Sequence, residues 1–110
     1  MKEWGVVWSE DAEVDLDSIY SYIATELLEP SIAFNQTERI KTAIYGLKQM
    51  PKRYSLYQTE PWRSKGVRHM VVNNYIVFYH PNDESGEVLI LRIIYGGRNI
   101  DEIFKIGKDI

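Results

Sequence analysis

Residues 67–98 read VRHMVVNNYIVFYHPNDESGEVLILRIIYGGR, three runs dense in Val, Ile and Tyr separated by two short polar interruptions. β-Branched and aromatic side chains fit a pleated, half-buried surface, so residues 67–72, 75–80 and 88–95 read as strands. Asn73-Asn74 tolerates the positive φ of a tight hairpin, and 81–86 (PNDESG) is a longer polar turn. Strands joined by connections this short run antiparallel, which predicts a meander in the second half of the chain.

The first half has a different period. Residues 3–8 (EWGVVW) are rich in β-formers and stop at Ser9, predicting a short N-terminal strand. Ser9 is a good helix N-cap, and Glu10, Asp11 and Glu13 place carboxylates where they oppose the positive end of the helix dipole. Ala12, Leu16, Ile19, Tyr20, Ile23 and Leu27 then recur at helical spacing as an apolar stripe, with Asp15, Asp17, Ser18 and Ser21 assigned to the solvated face. Glu29-Pro30 ends this helix and opens a second, in which Ala33, Thr37, Ile40, Ala43, Ile44 and Leu47 form the buried stripe and Arg39, Lys41 and Lys48 lie outside it. Gly46 weakens the end of that helix, and Pro51 stops it. The two helices should form a hairpin. Ile19, Ile23, Ile40, Ile44 and Leu47 are expected between hairpin and sheet, together with Ile76, Phe78, Leu89, Leu91 and Ile93.

Residues 51–66 (PKRYSLYQTEPWRSKG) follow neither period and form a long connection. Lys52, Arg53, Arg63 and Lys65 interleave there with Tyr54, Tyr57 and Trp62. Two readings stand side by side: a surface that grips phosphate and stacks bases, or aromatics that pin the loop to the core beneath solvated charges. At the other end, Asn99 with Glu102 resembles a capping box and predicts a short last helix through about Lys105. Residues 107–110 are expected to fray.

With 110 residues, 45% hydrophobic and 26% charged, the chain reads as one domain spanning 1–110. It contains no Cys and only two His, which argues against a disulfide framework, a thiol nucleophile and the usual zinc sites. No metal or cofactor is expected. Nor does any stretch approach a membrane span or an apolar leader, so a cytoplasmic protein without membrane association is expected. The net charge of −3 hides a split. Residues 1–30 carry one base against eight acids, 31–80 eight bases against two acids, and 81–110 four against six. A globally basic nucleic-acid binder is disfavoured, while a local basic face remains available for phosphate or an acidic peptide.

The element order, with residues 67–79 (VRHMVVNNYIVFY) and 91–98 (LRIIYGGR), resembles the RelE/ParE superfamily of toxins from type II toxin–antitoxin modules, which includes ParE-like plasmid stabilization proteins. The resemblance covers nearly the whole chain, the helical half mainly by layout. It implies an α+β fold: an N-terminal strand, a helical hairpin packed on a twisted antiparallel sheet of about four strands, and a short C-terminal helix. It also implies a growth-inhibiting bacterial toxin held by a cognate antitoxin, acidic to match the basic middle block.

The superfamily has two branches. RelE-like members cleave mRNA on the ribosome, which needs a base for the 2′-hydroxyl, cations for the phosphate oxygens and an acid for the leaving oxygen. By this resemblance Arg68 and Arg98 match basic positions that could hold phosphate. The C-terminal tyrosine or histidine of those enzymes has Phe104 as its nearest counterpart here, and a phenyl ring cannot transfer a proton. His69, His80 and Tyr79 are the substitutes within the chain; mid-strand His69 reads as structural, His80 as exposed, and Tyr79, with Tyr75, as core. ParE-like members block DNA gyrase without that acid/base set. The missing tyrosine therefore favours gyrase over mRNA as target and leaves enzymatic activity open, leaning against it. Lys52, Arg53, Arg63, Lys65, Arg92 and Phe104 are the candidate nucleic-acid or partner contacts. Arg92 interrupts an apolar strand face, so either that face is partly wet or Arg92 has an acidic partner on the first helix.

Overall fold

The computed structural model describes residues 3–97. Arg98, the capping box at 99–102, Phe104 and the expected last helix lie outside the described residues. The elements are β1 (Gly5–Trp8), α1 (Glu10–Ser21), a π-helical turn (Tyr22–Glu26), α2 (Pro30–Tyr45), 3-10 turns at Gly46–Lys48 and Pro51–Arg53, β2 (Arg68–Val72), β3 (Tyr75–Asn82) and β4 (Glu87–Tyr95).

The sheet has the order β1-β4-β3-β2. β2, β3 and β4 form the antiparallel meander, and Asn73 takes φ 54° in its tight turn. β1, however, lies parallel to β4, from Gly5 against Glu87 to Trp8 against Ile90, so the sheet is mixed rather than wholly antiparallel. The chain between these two strands passes through both helices, and no tight turn forces them to run antiparallel.

Ser9 caps α1 as expected: its Oγ accepts from the Ala12 N–H at 3.0 Å and donates to the Leu91 carbonyl at 2.9 Å, tying the helix start to β4. Ala12 and Ile23 are buried and Leu16 and Ile19 partly so, but Tyr20 and Leu27 are exposed, contrary to the stripe drawn through them. Tyr20 lies roughly 80° around the helix from Ala12, at the flank of the buried arc. Leu27 falls beyond the π-helical turn, in the hairpin connection. There Leu28 adopts a left-handed φ of 54°, and the Glu29 N–H reaches back to the Ile23 carbonyl at 3.0 Å. In α2 the expected stripe is in place: Ala33, Thr37, Ile40, Ile44 and Leu47 are buried.

The sheet is covered on both faces, and this divides its apolar residues differently from the single core expected. Ala12, Ile40, Ile44 and Leu47 pack on Met70, Val72, Val77, Tyr79, Val88, Ile90 and Ile93. On the opposite face Val67, Phe78, Leu91 and Ile94 form a second core, flanked by Ile76 and Leu89 and joined by Tyr57 and Trp62 of the long loop. Ile76, Phe78, Leu89 and Leu91 therefore face the loop, not the hairpin. A bulge explains why Ile93 does not go with them. Phe78 pairs with Arg92 and Tyr79 with Ile90, leaving an extra residue on β4. Alternation slips there, sending Ile93 to the helical face and Ile94 to the loop face.

Candidate functional site

Asp15 and Arg92 meet at that bulge. The guanidinium donates to both carboxylate oxygens, Nε to Oδ2 at 2.7 Å and Nη2 to Oδ1 at 3.0 Å. Asp15 Oδ2 also accepts the Ile93 N–H at 2.8 Å. Pairing with β1 ends at Ile90, so Ser9 and Asp15 satisfy backbone groups of β4 that no neighbouring strand reaches. The side chains are only 14% and 19% exposed. Asp15 thus leaves the solvated face assigned to it, and Arg92 has its acidic partner on the first helix. Hydrogen bonding to Asp15 holds the guanidinium above its ordinary pKa against the opposing effect of burial. This Arg92 is a fastening between α1 and β4, at the root of the segment leading to Gly96-Gly97.

The basic residues of the loop divide into two groups. Arg53 lies over the Tyr54 ring at 4.8 Å and donates to the Gln49 carbonyl and, at 3.1 Å, to that of Met50, covering the carbonyls that follow the 3-10 turn at Gly46–Lys48. Arg68 Nη1 donates to the carbonyls of Tyr54 at 2.7 Å and Lys52 at 3.2 Å, and Lys52 pairs with Asp83 at 2.7 Å. These three cations share one end of the helical face. Lys65 lies elsewhere, its ammonium 5.6 Å from the Trp62 ring centroid, and nearby Glu60 is held below the ordinary carboxylate pKa chiefly by hydrogen bonds from Ser64, with the exposed Arg63 adding a smaller effect. The structure therefore brings Lys52, Arg53 and Arg68 together, but separates them from Lys65 and from Arg92. Tyr57 meets Phe78 edge-on at 5.0 Å and His69 at 5.9 Å. Of the two readings of the loop, the aromatics follow the one in which they pin it to the core.

Of the proton-transfer candidates, Tyr79 is committed by a hydrogen bond and the two histidines are held mainly by packing. Tyr79 is fully buried and its hydroxyl donates to the Pro51 carbonyl at 2.6 Å. Burial pushes its pKa well above the ordinary tyrosine range; Arg68 opposes the shift, Tyr54 adds to it and Arg53 opposes it. His69 packs beside Tyr57 with its Nδ1 buried and without a hydrogen-bond partner. His80 is half-buried rather than exposed: Gly66, at φ 82°, lets the ring lie close against the backbone, with Nδ1 3.4 Å from the Gly66 carbonyl. It borders a shallow cleft of about 390 Å³ with Val7, Lys65, Asn82, Ser85, Glu87 and Leu89. Sequence periodicity missed this cleft because the loop and the β3–β4 turn create it jointly. No group of three metal-ligating side chains and no membrane-spanning helix occurs among the described residues.

Tyr79 makes stability pH-dependent in the alkaline range. Its folded pKa exceeds the unfolded value, so the native state holds the proton more tightly. That contribution is complete below about pH 10 and is lost as pH rises further. Tyr79→Phe should cost about 1–2 kcal/mol at neutral pH by leaving the Pro51 carbonyl unpaired, and should flatten the alkaline decline. Urea midpoints measured between about pH 8 and about pH 11 check both effects.

Residues 6–100 match the family model described as the ParE toxin of the type II toxin–antitoxin system, parDE. The chain belongs to the ParE toxin family. No curated protein matches it in sequence. Among solved structures, the ParE fold seen here superposes on a chain of the chromosomal ParDE toxin–antitoxin system from P. aeruginosa with TM-score 0.70 and 23% identity, over 86% of this chain and 98% of that one. The toxin–antitoxin complex RelBE2 from Mycobacterium tuberculosis gives 0.62 and 22%, over 86% and 93%. An arginine double mutant of E. coli RelE in the free state gives 0.61 and 12%, over 93% and 99%. At these identities the structural likenesses establish a shared fold, which does not by itself assign a function.

Proposed function

We propose that this ParE-family toxin is held by an acidic cognate antitoxin and, when released, arrests growth by acting on DNA gyrase. The observation that carries this reading is the match to the ParE family over residues 6–100. The side chains support it. Tyr79 is tied to Pro51 and protonated at neutral pH, His69 is packed under Tyr57, and position 104 is Phe where an RNA-cleaving relative would carry its proton-transfer residue. Arg68 retains guanidinium nitrogens beyond the one engaged with the loop, so phosphate contact is its role if RNA is the substrate. Arg98 would share that role. The loop at residues 55–57 pairs with the start of β2, so the antitoxin would cover the outer edge of β2 beyond His69, where Val71 is exposed, and the basic end formed by Lys52, Arg53 and Arg68.

RNA cleavage on the ribosome is the second reading, favoured by the fold shared with RelE. Induction in cells separates the two. The gyrase reading predicts intact transcripts, altered plasmid supercoiling, and relief of growth arrest when the antitoxin is co-expressed. Prompt site-specific mRNA cuts with normal supercoiling would replace it by the second reading.

A further inference from the structure

Leu28 is an outlier in both backbone and exposure. Its φ of 54° is a conformation that favours glycine at the end of a helix, yet the residue is leucine, and 78% of it is exposed. No burial of its side chain offsets the backbone strain. Leu27 and Ile32, on either side of the same turn, are also more than half exposed. The sequence Glu26-Leu27-Leu28-Glu29-Pro30 places a carboxylate on each side of the leucine pair, and both glutamates are exposed. A π-helical turn and the Glu29 to Ile23 hydrogen bond hold this tip in its unusual geometry. Glycine or asparagine would satisfy the turn at lower cost, so the leucine answers a requirement outside the fold.

We infer that the hairpin tip is the contact by which the toxin engages its protein target, inserting Leu27 and Leu28 into an apolar pocket rimmed by Lys or Arg. This rests on the toxin reading, though not on which protein is the target. The charge pattern selects the occupant: the Glu26 and Glu29 carboxylates complement a basic rim and repel the acidic antitoxin.

Leu28→Gly tests the inference because it removes the side chain while relaxing the backbone. The variant should melt at or above the wild-type temperature and bind the antitoxin as the wild type does. It should need expression higher by about tenfold or more to arrest growth on induction, the loss expected of an anchoring apolar side chain. Leu28→Asn, which also tolerates positive φ, should behave alike, and Glu26→Lys with Glu29→Lys should weaken arrest without unfolding the protein. Wild-type growth arrest by a folded Leu28→Gly protein would overturn the inference. So would loss of antitoxin binding, which would assign the tip to the antitoxin, or dissociation of a wild-type oligomer, which would assign it to a second copy. Gyrase supercoiling measured on the wild type reads the target separately: arrest without inhibited supercoiling refutes gyrase, while the Leu28 comparison still decides the tip.

Discussion

Asp15→Ala should lower the unfolding free energy by about 3 kcal/mol, the lower end of the cost of breaking an enclosed ion pair from one side. Three bonds end on this carboxylate, two from Arg92 and one from the Ile93 N–H. Its removal leaves a guanidinium largely shielded from water and a strand N–H without an acceptor. Against a total stability of about 5–15 kcal/mol for a domain, that is a large fraction, equivalent to roughly 15 °C in melting temperature. Asp15→Asn, which can still accept from Ile93, should lose about half as much. Adding Arg92→Met to Asp15→Ala should recover part of the loss, because the stranded charge goes with the arginine. Urea unfolding of the three variants measures these differences; a loss below about 1 kcal/mol for Asp15→Ala would mean that the pair behaves as a solvated surface bridge.

Phe78→Ala should cost about 3–5 kcal/mol, the range for truncating a buried aromatic. Phe78 is fully buried at the centre of the loop-face core, with Tyr57 against its ring and Val67, Leu91 and Ile94 around it. The cavity would open beneath the loop, so the second expected effect is local: amide exchange should quicken at Tyr57 and Val67, which are joined by a backbone hydrogen bond of 2.8 Å. If Phe78 instead packed under the helical hairpin, the exchange change would appear in α2 and the loop would be unaffected.

Legibility in the sequence followed the regularity of each element. The meander was readable because Val, Ile and Tyr recur between turn residues whose conformations are specific, such as Asn73. Ser9 and the α2 stripe were readable for the same reason. The face to which each strand residue belongs was not. Alternation separates two sets without saying which one the helices cover, and an irregular loop that packs a partly buried Tyr57 and Trp62 on the sheet presents no period. The bulge on β4 then exchanges the sets part-way along the strand. Asp15 did leave a signal: it lies three residues after Ala12 and four before Ile19, within the buried arc rather than opposite it. A carboxylate interrupting one apolar stripe and Arg92 interrupting another are complementary. Of the candidate site, Arg68 and the loop cations were identified by type, but their separation into two groups depends on the path of the loop.

The proposed action of this ParE-family toxin on gyrase is tested most directly by supercoiling of relaxed plasmid by purified gyrase in the presence of the purified toxin. Supercoiling should be inhibited as toxin is added and restored when the antitoxin is supplied. Undiminished supercoiling at a large molar excess of folded, growth-arresting toxin would contradict an action on gyrase.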